Sequence, residues 1–272
     1  MKRIRWSIVF YTVLGIFALS GIIMLMSLVA SKDSVQPCVS LRVSVEGKET
    51  FIDQNDISKM INNQFGSIIG KDLNSIKMEQ IEQELEKLPY VSRAEVHSDI
   101  DGALHVTVQQ REVILRVISK TGREYYVDRE GNKVPVTLKY VPHVLVANGN
   151  IKEGYGKALE SVESDVVKDL LKVVSRVEGD PLWENQIVQM YVNDQKDIEL
   201  VPRVGNELLL IGSADSLDDK LHRLEIYYKN ILPKVGAEAY DKVNVKYGGQ
   251  IVCERKGNWS MDSLQMKINL KN

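Results

Sequence analysis

The sequence predicts an α+β protein: an N-terminal transmembrane helix, a β-α-α-β-β domain, and a mostly antiparallel β domain with two amphipathic helices. Three observations predict this class. The run from Trp6 to Val29 has no charged residue. Many short segments alternate apolar and polar residues, which is typical of half-buried strands. Four longer segments repeat apolar residues every three or four positions, which is typical of amphipathic helices.

The composition limits the class of function. The chain of 272 residues is 44% hydrophobic and 26% charged, as in ordinary folded proteins. Its net charge is -2 and it has no overall basic excess, so we expect no nucleic-acid partner.

The uncharged N-terminal run predicts a membrane anchor. About 20 apolar residues suffice to cross a bilayer as a helix. Three basic residues precede the run, which predicts a cytoplasmic N-terminus. A cleaved signal peptide is the alternative, but its apolar region is usually shorter, about 7–15 residues. We therefore predict a cytoplasmic stub (1–5), a signal-anchor helix (6–29), a linker (30–39) and an exported remainder.

The helices of the first domain follow from their start and stop signals. Asp53 is a good N-cap for a helix with Ile57, Met60, Ile61 and Phe65 on one face. Lys77 is a weaker N-cap for a second helix. Pro89 cannot continue that helix, so it should end near Lys87.

Strands complete this domain and build the next one. Ser40–Gly47, Val91–His97 and Leu104–Val108 read as strands of the first domain, and the last two are joined by a turn. After Arg111 we expect strands in Ile114–Val136, a turn at Asp128–Gly131, a flexible loop at Asn148–Gly156, helices at Asp165–Val177 and Leu217–Leu232, three strands between these helices, one long final strand at Lys242–Arg255 that is interrupted by Gly248-Gly249, and a flexible tail (257–272).

No catalytic constellation is visible. The four histidines form no HExxH pair, and the sequence has no G-x-S-x-G elbow and no phosphate-binding glycine loop. We therefore predict no catalytic, cofactor-binding or metal-binding residues, no small-molecule substrate, and a protein that is not an enzyme. Cys38 and Cys253 are expected to be unpaired thiols, with a disulfide as the alternative.

The final strand is the candidate interface. Val243, Val245 and Tyr247 alternate with polar residues, and an edge strand of this kind exposes unpaired backbone groups. One interpretation is that its lysines protect the edge. The other is that a partner strand adds to it, with Tyr240 and Tyr247 as anchors.

Several motifs, in this order and spacing, resemble those of a known family. V-x-V-x-G (43–47), G-x-D-L (70–73), L-P-Y-V (88–91) and Q-R-E (110–112) resemble a POTRA domain. Tyr125–Gly131 and Tyr240–Val252 resemble the β domain of the FtsQ/DivIB cell-division proteins. The family often has an E-R-x-P turn between the domains, whereas this chain has Gln110-Arg111-Glu112-Val113 there, with valine in place of the proline.

The resemblance implies a POTRA domain (40–111) and an FtsQ-type β domain (112–256). It also implies a scaffold at the division septum, in the inner membrane with most of the chain periplasmic. Such scaffolds bind FtsB and FtsL and, through them, regulate the septal peptidoglycan synthase. Carried onto this sequence, the partner-binding residues are Tyr240, Val243, Val245, Tyr247, Gly248, Gly249 and Ile251, flanked by His222 and Tyr228.

Two other classes compete with this interpretation. A translocation component of the Omp85 type would need a large membrane barrel after the POTRA segment, whereas about 160 residues follow it here, with two amphipathic helices among them. A membrane-anchored cell-wall enzyme or envelope sensor would need a pocket with a nucleophile or a ligand constellation.

Overall fold

The structure, a computed structural model, describes residues 6–30 and 36–257. The predicted N-terminal helix is present as α1 (Trp6–Ala30). Over the described residues, no helix combines the length and apolar character that a membrane crossing requires. The predicted stub, part of the predicted linker and, from residue 258 onwards, the predicted tail lie outside the described residues.

The first domain has the predicted β-α-α-β-β order. It consists of β1 (Ser40–Glu46), α2 (Gln54–Phe65), a 3-10 turn (Leu73–Ser75), α3 (Met78–Glu86), β2 (Val91–Ser98) and β3 (Ala103–Gln110). The strands form one sheet in the order β1-β3-β2, in which β1 is parallel and β2 antiparallel to the central β3.

The predicted signals at the helix ends are confirmed. Asp53 and Asp56 form a capping box at the start of α2. Lys77 precedes α3 without a side-chain cap bond, and α3 ends at Glu86, just before Pro89. Both helices bury one face against the sheet, through Ile57 and Ile61 on α2 and Ile81 and Leu85 on α3.

The second domain is one nine-stranded sheet. Its strands are β4 (Val113–Ile118), β5 (Glu124–Asp128), β6 (Lys133–Pro135), β7 (Leu145–Gly149), β8 (Ile187–Val192), β9 (Ile198–Pro202), β10 (Leu208–Gly212), β11 (Tyr240–Asn244) and β12 (Val252–Arg255). Their order is β12-β11-β10-β9-β8-β7-β4-β5-β6. Five of the eight neighbouring pairs are antiparallel, so the expected mostly antiparallel sheet is confirmed.

The helices of this domain agree only in part with those predicted from the sequence. α4 (Asp165–Val177) has the predicted bounds. A short α5 (Trp183–Gln186) was not predicted. α6 (Leu217–Ile226) begins where expected, but it passes into a π-helical turn (Tyr227–Ile231) and a short α7 (Leu232–Val235).

Two strand predictions were wrong. β7 occupies the beginning of the segment that was expected to be a loop from Asn148. The long final strand is two antiparallel strands, β11 and β12, because the chain turns at Gly248-Gly249 instead of passing through an interruption. Gly249 has φ of +72°, a backbone conformation that glycine adopts without strain.

The two domains share a small core of their own. The Phe51 ring stacks on the Tyr90 ring at 5.0 Å between centroids, and it contacts the ring of Tyr126 on β5 at 6.1 Å. Arg111, between the domains, donates to the fully buried carboxylate of Asp128 at 2.7 Å and to the Val91 carbonyl at 2.8 Å. This arginine therefore joins β2 of the first sheet to β5 of the second domain.

The thiols are unpaired, as expected. Cys38 is buried in the first domain, and Cys253 is half-buried on β12. Burial raises the pKa of the Cys253 thiol, which keeps it protonated at neutral pH.

Candidate partner-binding edge

The nine-stranded sheet ends at β12. β11 pairs in parallel with β10 on one side and antiparallel with β12 on the other. Within the described residues, β12 pairs with β11 alone. One row of its backbone groups therefore faces away from the sheet, as a strand-adding partner requires.

Hydrogen-bond directions identify the outward groups. The N–H of Lys256 donates to the carbonyl of Ala239, next to β11, at 3.2 Å. In an antiparallel pair, backbone groups of successive residues point to opposite sides. The backbone groups of Glu254 and Val252 therefore also point to β11, whereas the N–H and C=O of Cys253 point outward.

An arginine holds the turn that leads into β12. Arg223 on α6 is buried, and its guanidinium donates to the carbonyl of Tyr247 and to that of Gln250, the latter at 2.9 Å. It also donates to the Asp219 carboxylate at 2.9 Å, which balances its charge. Because Tyr247 and Gln250 flank Gly248-Gly249, this one side chain fixes the turn and hence the position of the edge strand.

The lysines near the edge do not protect it. Lys242 on β11 pairs with the buried Glu199 of β9 at 2.9 Å. Lys246 pairs with Asp197 at 2.8 Å, and this hydrogen bond raises the pKa of Lys246. Both side chains run across the sheet toward β9, so the interpretation of edge-protecting lysines does not hold for them.

Two of the predicted contact residues are in the core. Val243 and Val245 are fully buried. The N–H of Val245 donates to the carbonyl of Leu210 on β10 at 2.9 Å. Since their side chains have no exposed surface, these valines support the edge strand from inside.

The residues around the turn lie where a partner can reach them. Tyr247 is 55% exposed, and Gly248 and Gly249 are exposed beside it. Ile251 is half-buried, because its side chain packs on the core. Val252, which was not predicted, is 43% exposed on the outer face of β12.

The other predicted residues take up different positions. Tyr240 contacts the Tyr227 ring at 6.3 Å, and Tyr228 contacts the Trp183 ring at 6.0 Å, so both tyrosines pack beneath the edge. Burial raises the pKa of Tyr228. His222 is exposed but lies in a groove beside Trp183, near α4, and not at the hairpin.

Sequence reasoning missed Arg223, although a signal was present. Lys220 and Arg223 on α6 and Tyr227 at the start of the π-helical turn are spaced at i, i+3 and i+7 beside the apolar stripe, and all three are buried. The Lys220 ammonium donates to the Ser213 carbonyl at 2.9 Å, and burial lowers its pKa. Charged residues in a helical stripe of this kind indicate buried hydrogen-bond donors.

At two of the other three sheet edges, side chains or a loop already bond to the outer backbone groups. On β2, the N–H of Ala94 donates to Glu86 at 3.2 Å and the N–H of Val96 donates to Glu82 at 2.7 Å. Both glutamates lie on α3. They cap the outer edge of β2.

The β6 edge is covered by a loop. The N–H of Lys133 donates to the Glu160 carbonyl, and the N–H of Leu159 donates to the Lys133 carbonyl, both at 2.8 Å. The strand is three residues long and ends at Pro135. A further strand cannot add at a position whose backbone groups are already bonded.

β1 forms the remaining edge. Over the part of the chain that the structure describes, it pairs with β3 alone, and Arg42, Ser44 and Glu46 are exposed on it. Its pattern of half-buried and exposed residues is the one predicted from Ser40–Gly47. β1 is therefore the second place where strand addition is geometrically open.

These edges offer backbone hydrogen bonds and apolar contacts. Among the described residues, no three histidine, cysteine, aspartate or glutamate side chains are placed to hold a metal ion. The chemistry that the arrangement supports is recognition of another polypeptide.

A small sheet covered by two helices is joined to a larger sheet whose final strand, among the described residues, pairs on one side only. A POTRA-like domain model matches residues 36–109, and the model "FtsQ/DivIB, C-terminal related" matches residues 112–254. The chain belongs to the FtsQ/DivIB family, as its resemblance implied. The chain matches no curated protein.

Proposed function

We propose that this protein is a non-catalytic, membrane-anchored scaffold of the bacterial divisome that binds partners of the FtsB and FtsL type through β12. Through these partners it helps recruit and regulate the septal peptidoglycan synthase. Membership of the FtsQ/DivIB family supports the cell-division role. The outward N–H and C=O of Cys253, on a strand that pairs with β11 alone among the described residues, are the observation that carries the choice of site.

The physical argument rests on complementarity. A partner strand beside β12 gains main-chain hydrogen bonds, while Tyr247 and Val252 offer exposed apolar surface on the same hairpin. Arg223 holds the turn in place before the partner arrives, which lowers the ordering cost of binding.

The location follows from the family and from the N-terminal sequence. The uncharged run Trp6–Val29 with basic residues before it supports a single crossing of the inner membrane. The two domains would then lie in the periplasm at the division septum, where the extracytoplasmic parts of the partners are accessible.

The test is a pair of substitutions at one residue. Cys253→Pro removes the outward N–H of β12 without removing a bond to β11, whereas Cys253→Ala keeps the donor. We expect full-length Cys253→Pro in detergent to lose binding to soluble FtsB-FtsL regions by about a hundredfold, while Cys253→Ala binds like the unchanged protein. Binding is measured by interferometry, and circular dichroism checks the fold.

Three other outcomes decide against parts of the proposal. Equal binding by both variants would exclude β12 as the site. A loss that follows substitutions on β1 instead would move the interface to the first sheet. No binding by the unchanged protein would contradict the FtsB-FtsL assignment and favour an envelope sensor.

A further inference from the structure

The chain beyond β12 carries a strand pattern of its own. Its apolar residues recur at every second position, with polar residues between them: Leu264, Met266, Ile268 and Leu270 alternate with Gln265, Lys267, Asn269 and Lys271. Alternation over this length is typical of a half-buried strand. The expectation of a flexible tail did not take this pattern into account.

The tail is long enough to return along β12. The seven residues 256–262 connect Arg255 to Ser263 and include Gly257-Asn258, a pair that favours a turn. Adjacent strands lie about 4.8 Å apart. Seven residues reach about 23 Å when extended, so the connection imposes no strain.

The apolar face of the tail segment and the core-facing side of β12 coincide in only one set of strand registers. Ile251 and Cys253 pack toward the core, while Val252 and Glu254 are exposed. Apolar residues of the tail meet the core side if Met266 lies opposite Cys253, or two residues away. A slip by one residue would turn every apolar side chain outward.

Charge favours the same arrangement. With Met266 opposite Cys253, Lys267 lies diagonally across from the exposed Glu254. Diagonal neighbours on one face of a sheet are within reach of long side chains, and opposite charges there attract.

We propose that Ser263–Lys271 pairs antiparallel with the open edge of β12 as one further strand, and that a binding partner must displace it. The displacement rests on the proposed function, whereas the pairing itself does not. A tethered segment has an effective concentration in the millimolar range, which favours the chain's own tail over a second copy. The pairing protects an edge that would otherwise promote aggregation.

The native Cys253 makes the pairing testable in the full-length protein. Residues opposite each other in an antiparallel pair have Cα atoms about 4.5–5.5 Å apart, within the span of a disulfide. The variants Leu264→Cys, Met266→Cys and Ile268→Cys cover the allowed registers, and Gln265→Cys and Lys267→Cys are matched controls on the other face. Diamide is the oxidant, at a pH high enough to ionise both thiols.

We expect an intramolecular disulfide, detected by mass spectrometry after proteolysis, in at least one of the three apolar-position variants and in neither control. Equal yields in all five variants would show an unpaired tail and overturn the proposal. No disulfide in any variant would also overturn it. Disulfides between two chains would show that a second copy of the chain, and not the protein's own tail, pairs with β12.

The disulfide-locked protein then tests displacement. We expect the locked variant to bind the soluble FtsB-FtsL regions at least about tenfold more weakly than the same variant after reduction. Equal binding in both states would overturn displacement while leaving the pairing intact. A disulfide that forms in a protein that binds no partner in either state would contradict the proposed function and support the tail pairing.

Discussion

The two ends of the nine-stranded sheet are built in opposite ways. At β6, the strand is short and buried, ends at Pro135, and is hydrogen-bonded on its outer side to the loop around Glu160. At β12, the strand is largely exposed and the groups of Cys253 point outward. Within one sheet, the described residues close one edge and leave the other open to a further strand, so the two edges differ in what can bind to them.

The closed edge should depend on a buried ion pair. The Lys133 ammonium lies 3.0 Å from Glu153 and 3.2 Å from Glu160, and its side chain is 5% exposed. We expect Lys133→Met to lower the free energy of unfolding by about 3–5 kcal/mol, because Glu153 is left buried without a counter-charge. Urea denaturation measures the change.

Lys139→Met is the matched control. Lys139 also pairs with two carboxylates, but its side chain and theirs are at least 40% exposed. Exposed ion pairs contribute little to the free energy of unfolding, because solvent and salt screen them. Equal losses in the two variants would mean that the closed edge is not held by its buried charges.

The same site predicts an acid-sensitive stability. Burial alone would raise the pKa of Glu153, but the N–H groups of Glu163 and Ser164 and the Lys133 ammonium together lower it from 4.5 to about 2. A depressed folded-state pKa contributes stability that is complete above the unfolded pKa of 4.5 and is lost as the pH falls from there toward 2. We expect the free energy of unfolding, measured by urea denaturation, to fall less between pH 6 and pH 3 in Glu153→Gln than in the unchanged protein.

The open edge should depend on the arginine behind its turn. Arg223→Met keeps the aliphatic stem but removes the donors to the Tyr247 and Gln250 carbonyls. Hydrogen bonds from a charged group contribute about 1.5–3 kcal/mol. We therefore expect the backbone amides of β12 to exchange about ten- to a hundredfold faster, while those of β6 do not change.

Arg223→Lys sharpens this prediction. Lysine keeps the charge but cannot bond two carbonyls with one planar group. Exchange on β12 should lie between that of the unchanged protein and that of the methionine variant. Faster exchange at both edges would show that Arg223 stabilises the whole domain and not the hairpin.

The smallest effect is expected at the exposed surface of the hairpin. Tyr247→Ala should change the free energy of unfolding by no more than about 0.5 kcal/mol, since the side chain is 55% exposed. Partner binding should weaken by about 1 kcal/mol. Tyr191→Ala, at a tyrosine that is 40% exposed on β8, is the control and should leave binding unchanged.

Local sequence patterns predicted the helices and strands well, but they predicted the positions of the strands in the sheet less well. The bounds of α4 and the end of α3 follow from helical spacing and from Pro89, which act within a few residues. The order of strands does not follow from such patterns. Val245 was predicted as a contact because its strand alternates, but alternation shows that one face is buried and not whether the strand is central or at an edge.

The same reason explains the other differences. Glu82 and Glu86 have the spacing of a solvated helix face, and only the position of β2 beside α3 reveals that they cap its amides. The sequence indicated an interruption at Gly248-Gly249, whereas the chain reversal that makes β12 the edge depends on pairing with β11. Partner binding at this edge remains a prediction.

Amide hydrogen exchange with and without the partner tests the central claim most directly. Protein truncated after Gly257, which lacks the tail strand proposed above, is compared in detergent alone and with soluble FtsB-FtsL regions, and protection is read for β1, β6 and β12 in one experiment. The account predicts that the Cys253 amide becomes at least about tenfold more protected, while the amides of Lys133 and Val134 do not change. Protection that appears on β1 and not on β12 would contradict it.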